Sequence, residues 1–195
     1  MGKIAVISGG IGSGKSVVSR IVSALGFATY DCDSRAKSLM DNSDEIKSQI
    51  AELISSDVIA ADGTIDRQAL ASIVFSDPDK LKILNGIVHG AVRDDITRRV
   101  SEMPDDEYLF VETAIPHESG IDTITEVVIY VEAPLKVRVE RVMRRSGLSE
   151  EQILSRIEAQ RGETDAMDAN HDAIRILNDD STPILPQILG ILKSL

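Results

Sequence analysis

What this 195-residue chain lacks narrows its chemistry first. It has a single cysteine, Cys32, so no disulfide can close within it, and a lone thiol suits a reducing compartment such as the cytoplasm. No apolar run is long enough to cross a bilayer. A secretory leader is not expected either, because only Ile4, Ala5, Val6 and Ile7 stand between Lys3 and a polar, glycine-rich stretch. Cationic residues are in short supply: 21 Lys and Arg against 32 Asp and Glu leave a net charge of −11. So acidic a chain argues against a nonspecific nucleic-acid or membrane-surface binder. There is no internal repeat, low-complexity tract or linker, and nothing calls for an obligate protein partner. Hydrophobic residues at 43% and charged residues at 27% are near globular averages. The length allows one main domain with room for insertions.

What is present is more specific. Residues 9–16 read Gly-Gly-Ile-Gly-Ser-Gly-Lys-Ser and fit the phosphate-loop pattern G-x-x-x-x-G-K-[ST]. The run 3–8 before it reads as a buried strand, and Val17 to Leu25 after it as a helix ended by Gly26. Glycines let successive N–H groups turn toward one anion, and the start of a helix adds its positive dipole end. Lys15 is expected to reach the β- and γ-phosphates of a nucleotide, and the Ser16 hydroxyl to ligate Mg²⁺. A polyanionic ligand on an acidic chain requires concentrated cations. Lys136, Arg138, Arg141, Arg144, Arg145, Arg156 and Arg161 fall in one segment. It reads as a segment that closes over phosphates rather than only a salt-bridged helix face.

Strand and helix signals alternate along the chain. Strands are expected over 4–8, 27–30, 108–113, 127–131 and 174–177. Helices are expected over 15–25, 34–40, 44–54, 66–74, 78–102, 134–145, 149–161 and 183–192. Such alternation predicts an α/β fold with a parallel sheet covered on both faces. The interval 34–103 has helical patterns and no good strand, which suggests a helical insertion.

Tyr30-Asp31-Cys32-Asp33 ends the second strand. Ligands of open parallel sheets bind beyond the carboxyl ends of strands, so Asp31 and Asp33 are placed to face a γ-phosphate and an acceptor. One of them would take the proton of an attacking hydroxyl. Alternatively, Asp33 caps the helix that follows. A guanine-nucleotide switch is disfavoured, since no glycine has an aspartate three residues before it and no Asn-Lys dipeptide occurs. A small-molecule kinase is the preferred reading. Another P-loop kinase with a nucleoside acceptor, or an ATP-binding module without turnover, remains open on these residues alone.

The ordered set of motifs resembles the dephospho-coenzyme A kinase family. The loop 9–16, Leu25-Gly26-Phe27 and Asp31-Cys32-Asp33 match its opening elements. Asp62 to Arg67, Leu84-Asn85, Val88-His89 and Glu118-Ser119-Gly120 match its middle segments. Ala133-Pro134, Arg141, Arg145 and Ile157 to Gln160 resemble its lid, and Asn178-Asp179-Asp180-Ser181 the stretch near its adenine. Gly90 stands where the family has proline, and Ala114 to His117 replaces an apolar stretch.

The resemblance implies ATP-dependent phosphorylation of the ribose 3′-hydroxyl of dephospho-CoA, with ATP and dephospho-CoA as ligands and Mg²⁺ as cofactor. It also implies a P-loop kinase fold with a five-stranded parallel sheet. The core would comprise 1–33, 104–135 and 162–195, the helical acceptor-binding insertion 34–103 and the helical lid 136–161. Asp33, Lys15 and Arg141 would be catalytic and Ser16 the metal ligand. Gly10, Ile11, Gly12, Ser13, Gly14, Lys15, Ser16, Val17 and Asn178 would bind nucleotide. Asp31, Asp33, His89 and Glu118 would bind the acceptor.

Overall fold

Lys3-Ile4-Ala5-Val6-Ile7-Ser8 is apolar without alternation because it forms a central strand, buried on both faces. In the structure, a computed structural model describing residues 1–195, it is β1 (Lys3–Ser8). With β2 (Ala28–Asp31), β3 (Tyr108–Glu112), β4 (Val127–Glu132) and β5 (Ile174–Leu177) it makes one five-stranded sheet in the order β2-β3-β1-β4-β5. Every pairing is parallel. Nine helices follow in chain order: α1 (Lys15–Ala24), α2 (Cys32–Asn42), α3 (Asp44–Leu53), α4 (Arg67–Ser76), α5 (Pro78–Ser101), α6 (Leu135–Ser146), α7 (Glu150–Ala159), α8 (Arg161–Ala169) and α9 (Ile184–Ser194). The fold is α/β, as the alternating signals predict.

The chain divides into two compact units. One comprises Met1–Asp31 and Val100–Leu195, the other Cys32–Arg99. In the first, α1 and α9 cover one sheet face. Val18, Val22, Ile188 and Ile191 pack there on Ala5, Ile7, Phe110, Ile129, Val131 and Ile176. Fully buried Phe110 meets Phe27 edge to face at 5.5 Å. On the opposite face Met167 of α8 packs on Val128 and Tyr130.

The second unit is helical. Ile46, Ile50 and Ile54 of α3 form its core with Val58 and with Leu70 and Val74 of α4. Two of its helices, α3 and α4, start at side-chain caps of the kind worth about 1 kcal/mol each. Ser43 accepts the Ile46 N–H, and Asp66 accepts those of Gln68 and Ala69. The Asp62-Gly63 turn closes a single antiparallel bridge between Ile59 and Ile65.

The expected strands and helices fall within a few residues of those observed, with one addition. The helix expected over 149–161 ends at Ala159, and α8 starts at Arg161. α8 has a poor helical sequence: Gly162 lies in its first turn, no side chain caps it, and Met167 is its only buried residue. Packing of Met167 on the sheet, not propensity, makes it a helix.

Candidate active site

The phosphate loop leaves β1 at Ser8 and enters α1 at Lys15. Gly14 takes φ 102°, and a Cβ there would lie 2.1 Å from Asn178 Nδ2, so only glycine fits. The Val17 N–H turns back onto the Gly14 carbonyl and begins the helix. Lys15 folds over the loop: its ammonium donates to the Gly9 carbonyl at 2.7 Å and lies 3.5 Å from that of Gly10. This keeps the charge beside the loop.

The carboxyl ends of three strands converge next to α1. The register sets Glu112 of β3 opposite both Ile7 of β1 and Asp31 of β2. The Ser16 hydroxyl donates to Glu112 Oε1 at 2.6 Å. Ser16, Glu112 and the neighbouring Asp31 thus present hard oxygen donors of the type Mg²⁺ selects when it shares its shell with phosphates and water. These residues fit that ion. Glu112 was absent from the sequence reading. The signal was available, since it is an acidic residue closing a buried parallel strand.

Asn178 is buried at the end of β5. Its N–H reaches the Glu132 carbonyl at 2.8 Å and its side-chain amide donates to the Ser13 carbonyl at 2.6 Å. It braces the loop. Arg141 of α6 joins this brace, donating to the carbonyls of Gly12 and Ser13, to Asn178 and to Asp180. Asp179 shapes the turn that follows: its carboxylate accepts the Thr182 and Ser181 N–H groups, which lower its pKa to about 2.

Asp33 lies inside the first turn of α2, which begins at Cys32. Asp31 and Asp33 are both exposed, with buried Cys32 between them. His89 is half-buried on α5 in the helical unit. Glu118 is exposed, on a segment held by Glu163 of α8, which accepts the N–H groups of His117 and Glu118. The His117 ring meets Asp122 at 2.9 Å, and that hydrogen bond and charge raise its pKa.

Comparison with known proteins gives one answer. The dephospho-CoA kinase family model matches residues 3–183. A dephospho-CoA kinase of Porphyromonas gingivalis is 40% identical over 188 residues, covering 96% of this chain and 92% of that protein. One from Bacteroides fragilis is 33% identical over 189 residues, covering 97% and 91%. A crystal structure from Thermus thermophilus superposes with a TM-score of 0.77 at 33% identity, covering 98% of this chain and 95% of the other. An Acinetobacter baumannii shikimate kinase, 14% identical over 98% of this chain and 92% of its own, has a TM-score of 0.54 and shares the fold alone. With its phosphate loop, strand-end carboxylates and parallel sheet all in place, the chain belongs to the dephospho-CoA kinase family and is a phosphate-transferring enzyme.

Proposed function

We propose that this enzyme transfers the γ-phosphoryl group of ATP to the ribose 3′-hydroxyl of dephospho-CoA, giving CoA and ADP. The observation that carries the reading is the loop 9–16, with its root tied to Asn178 and Ser16 beside Glu112. The loop N–H groups and the first turn of α1 hold the phosphates. Lys15 turns from the loop carbonyls to the β- and γ-phosphates. Ser16, with Glu112 and Asp31 around it, would hold Mg²⁺. When bound, this ion neutralises charge on the bridging and transferring oxygens.

Asp33 accepts the proton of the acceptor hydroxyl. The hydroxyl oxygen bonds to the γ-phosphorus while the bond to the β,γ-bridging oxygen breaks, and ADP leaves with that electron pair. Residues 34–103, with His89, receive the acceptor, and Glu118 contributes from the segment beside α8. Residues 136–161 act as the lid that excludes water. No helix is long and apolar enough to cross a membrane, and we place the enzyme in the cytoplasm on its single, buried Cys32.

The test is ADP release with Mg²⁺ and ATP, comparing dephospho-CoA with a panel of nucleoside monophosphates. Turnover with dephospho-CoA alone is expected; equal turnover with a nucleoside monophosphate would move the enzyme to another acceptor. The same assay tests Asp33. Asp33→Asn is expected to lower kcat about 10²–10⁴-fold, with little change in the affinities or Tm. An active Asp33→Asn enzyme would remove it from the base role.

A further inference from the structure

Arg138 and Arg141 lie one turn apart on α6, yet only Arg141 has its donors engaged on the brace at the loop's root. Arg138 reaches the crest of the loop instead. Its Nε donates to the Ile11 carbonyl at 2.9 Å. Its Nη2 is buried with no hydrogen-bond partner. The contact is close: a Cβ on Gly10 would lie 2.3 Å from that nitrogen, and one on Gly12 2.5 Å from the Arg138 carbonyl. From the end of α7, Gln160 Oε1 accepts the Ile11 N–H at 2.9 Å. The Ile11 side chain packs with Val139, Val142 and Ile153. Residue 11 is thus gripped at its N–H, its carbonyl and its side chain by α6 and α7.

The grip carries a cost. A buried guanidinium nitrogen without an acceptor is destabilising. Burial also lowers the Arg138 pKa, against a weaker opposing effect of Tyr130. For stability alone, an apolar side chain of similar length would serve better. Nor does packing alone immobilise the crest, because Gly10, Ser13 and Arg138 border a cavity of about 320 Å³. The hydrogen bonds to residue 11 are what set its orientation.

We propose that Arg138 is a positioning residue for the phosphate transfer: by holding the Ile11 carbonyl it fixes that peptide plane, so that the Gly12 N–H on its other side faces the nucleotide phosphates. The inference rests on the phosphate-loop reading above. Its benefit appears in nucleotide binding, while its cost falls on the folded state.

The experiment uses the full chain and measures ADP affinity by calorimetry, KM for ATP, kcat and Tm. Arg138→Met keeps length and apolar contact and removes the donor. ADP affinity should weaken and KM for ATP rise, each about tenfold to a hundredfold. The change in kcat should be smaller, and Tm unchanged or higher. Gln160→Leu removes the other half of the grip and should shift KM in the same direction, by less. Arg138→Lys keeps the charge but cannot reproduce the Nε bond, so it should behave like Arg138→Met.

Unchanged ADP affinity and KM in Arg138→Met, with a lowered Tm or failure to fold, would make Arg138 merely structural and overturn the proposal. Full recovery in Arg138→Lys would overturn it too, by showing that charge alone suffices. Lys15→Ala in the same titration separates the two levels. If that variant binds ADP and turns over normally, the phosphate-loop reading itself is wrong, whatever Arg138 does.

Discussion

The root and the crest of the phosphate loop are fastened by different parts of the molecule. At the root, Ser13 is held by Asn178 at the end of β5, and Ser16 by Glu112 at the end of β3. Both anchors are continuous with the strand ladder, so the root inherits the rigidity of the sheet. The crest, at Ile11, is held by Arg138 and Gln160 from α6 and α7, which belong to no ladder. On the proposed reading, the sheet sets where the phosphates sit, while a helical arm sets how the crest meets them. Damage to the root should abolish chemistry, and damage to the crest should mainly weaken nucleotide affinity.

The sharpest break comes at Lys15. Its ammonium stands at the junction of root and crest, on the carbonyls of Gly9 and Gly10. Lys15→Ala should lower kcat on the order of 10³-fold, with the backbone cradle still binding ADP weakly. Steady-state kinetics with ATP and Mg²⁺ checks this.

Arg141 sharpens the comparison next. It ties the root to Asn178 and Asp180 and is largely covered. Arg141→Ala should lower kcat by roughly 10²-fold and reduce Tm as well, because it removes the guanidinium donor from the Gly12 carbonyl and leaves Ser13 to Asn178 alone. Full turnover in Arg141→Ala would show that the root is braced without it.

Glu112 tests the metal binding proposed for the root. Glu112→Gln keeps an acceptor for the Ser16 hydroxyl but removes the negative charge. The Mg²⁺ concentration for half-maximal activity should rise about tenfold, with the ADP affinity measured without metal unchanged. A Mg²⁺ titration that overlays the parent's would exclude Glu112 from the ion's surroundings.

The smallest effect lies away from the loop, at His117. Its pKa is raised above 6.5, by the Asp122 hydrogen bond first and the Asp122 charge second. A raised folded-state value means that the stabilisation is complete below the unfolded pKa and is lost as pH rises through the folded one. His117→Asn should therefore lower Tm slightly at about pH 5.5 and not at about pH 9. A Tm difference independent of pH would show that the Asp122 contact does not act through the charge on His117.

Much of this was legible in the chain. The apolar runs of β1, β3 and β4 predict buried parallel strands, and Gly-Gly-Ile-Gly-Ser-Gly-Lys-Ser predicts the loop, because each is a local pattern with one favourable conformation. Asp33 reads in the sequence as either a base or a helix cap, and the structure places it in the first turn of α2, which begins at Cys32. Glu112 escaped notice because its significance depends on a neighbour 96 positions away, Ser16. The helix α8 escaped for a related reason: Met167 is its one buried side chain, and its partners Val128 and Tyr130 lie on a distant strand.

The difference between Arg138 and Arg141 shows where local reading ends. Both sit in one basic segment, and side-chain type cannot say which guanidinium is spent on the root and which on the crest. Residue order dictates the strands, the glycine loop, the helix that follows it and the carboxylates at the strand end, since these depend on backbone conformation and short-range periodicity. Only folding brings Asn178 onto Ser13, Glu112 onto Ser16 and Arg138 with Gln160 onto Ile11. Those pairings form between separate elements, and they exist only once the parallel sheet has set the elements side by side.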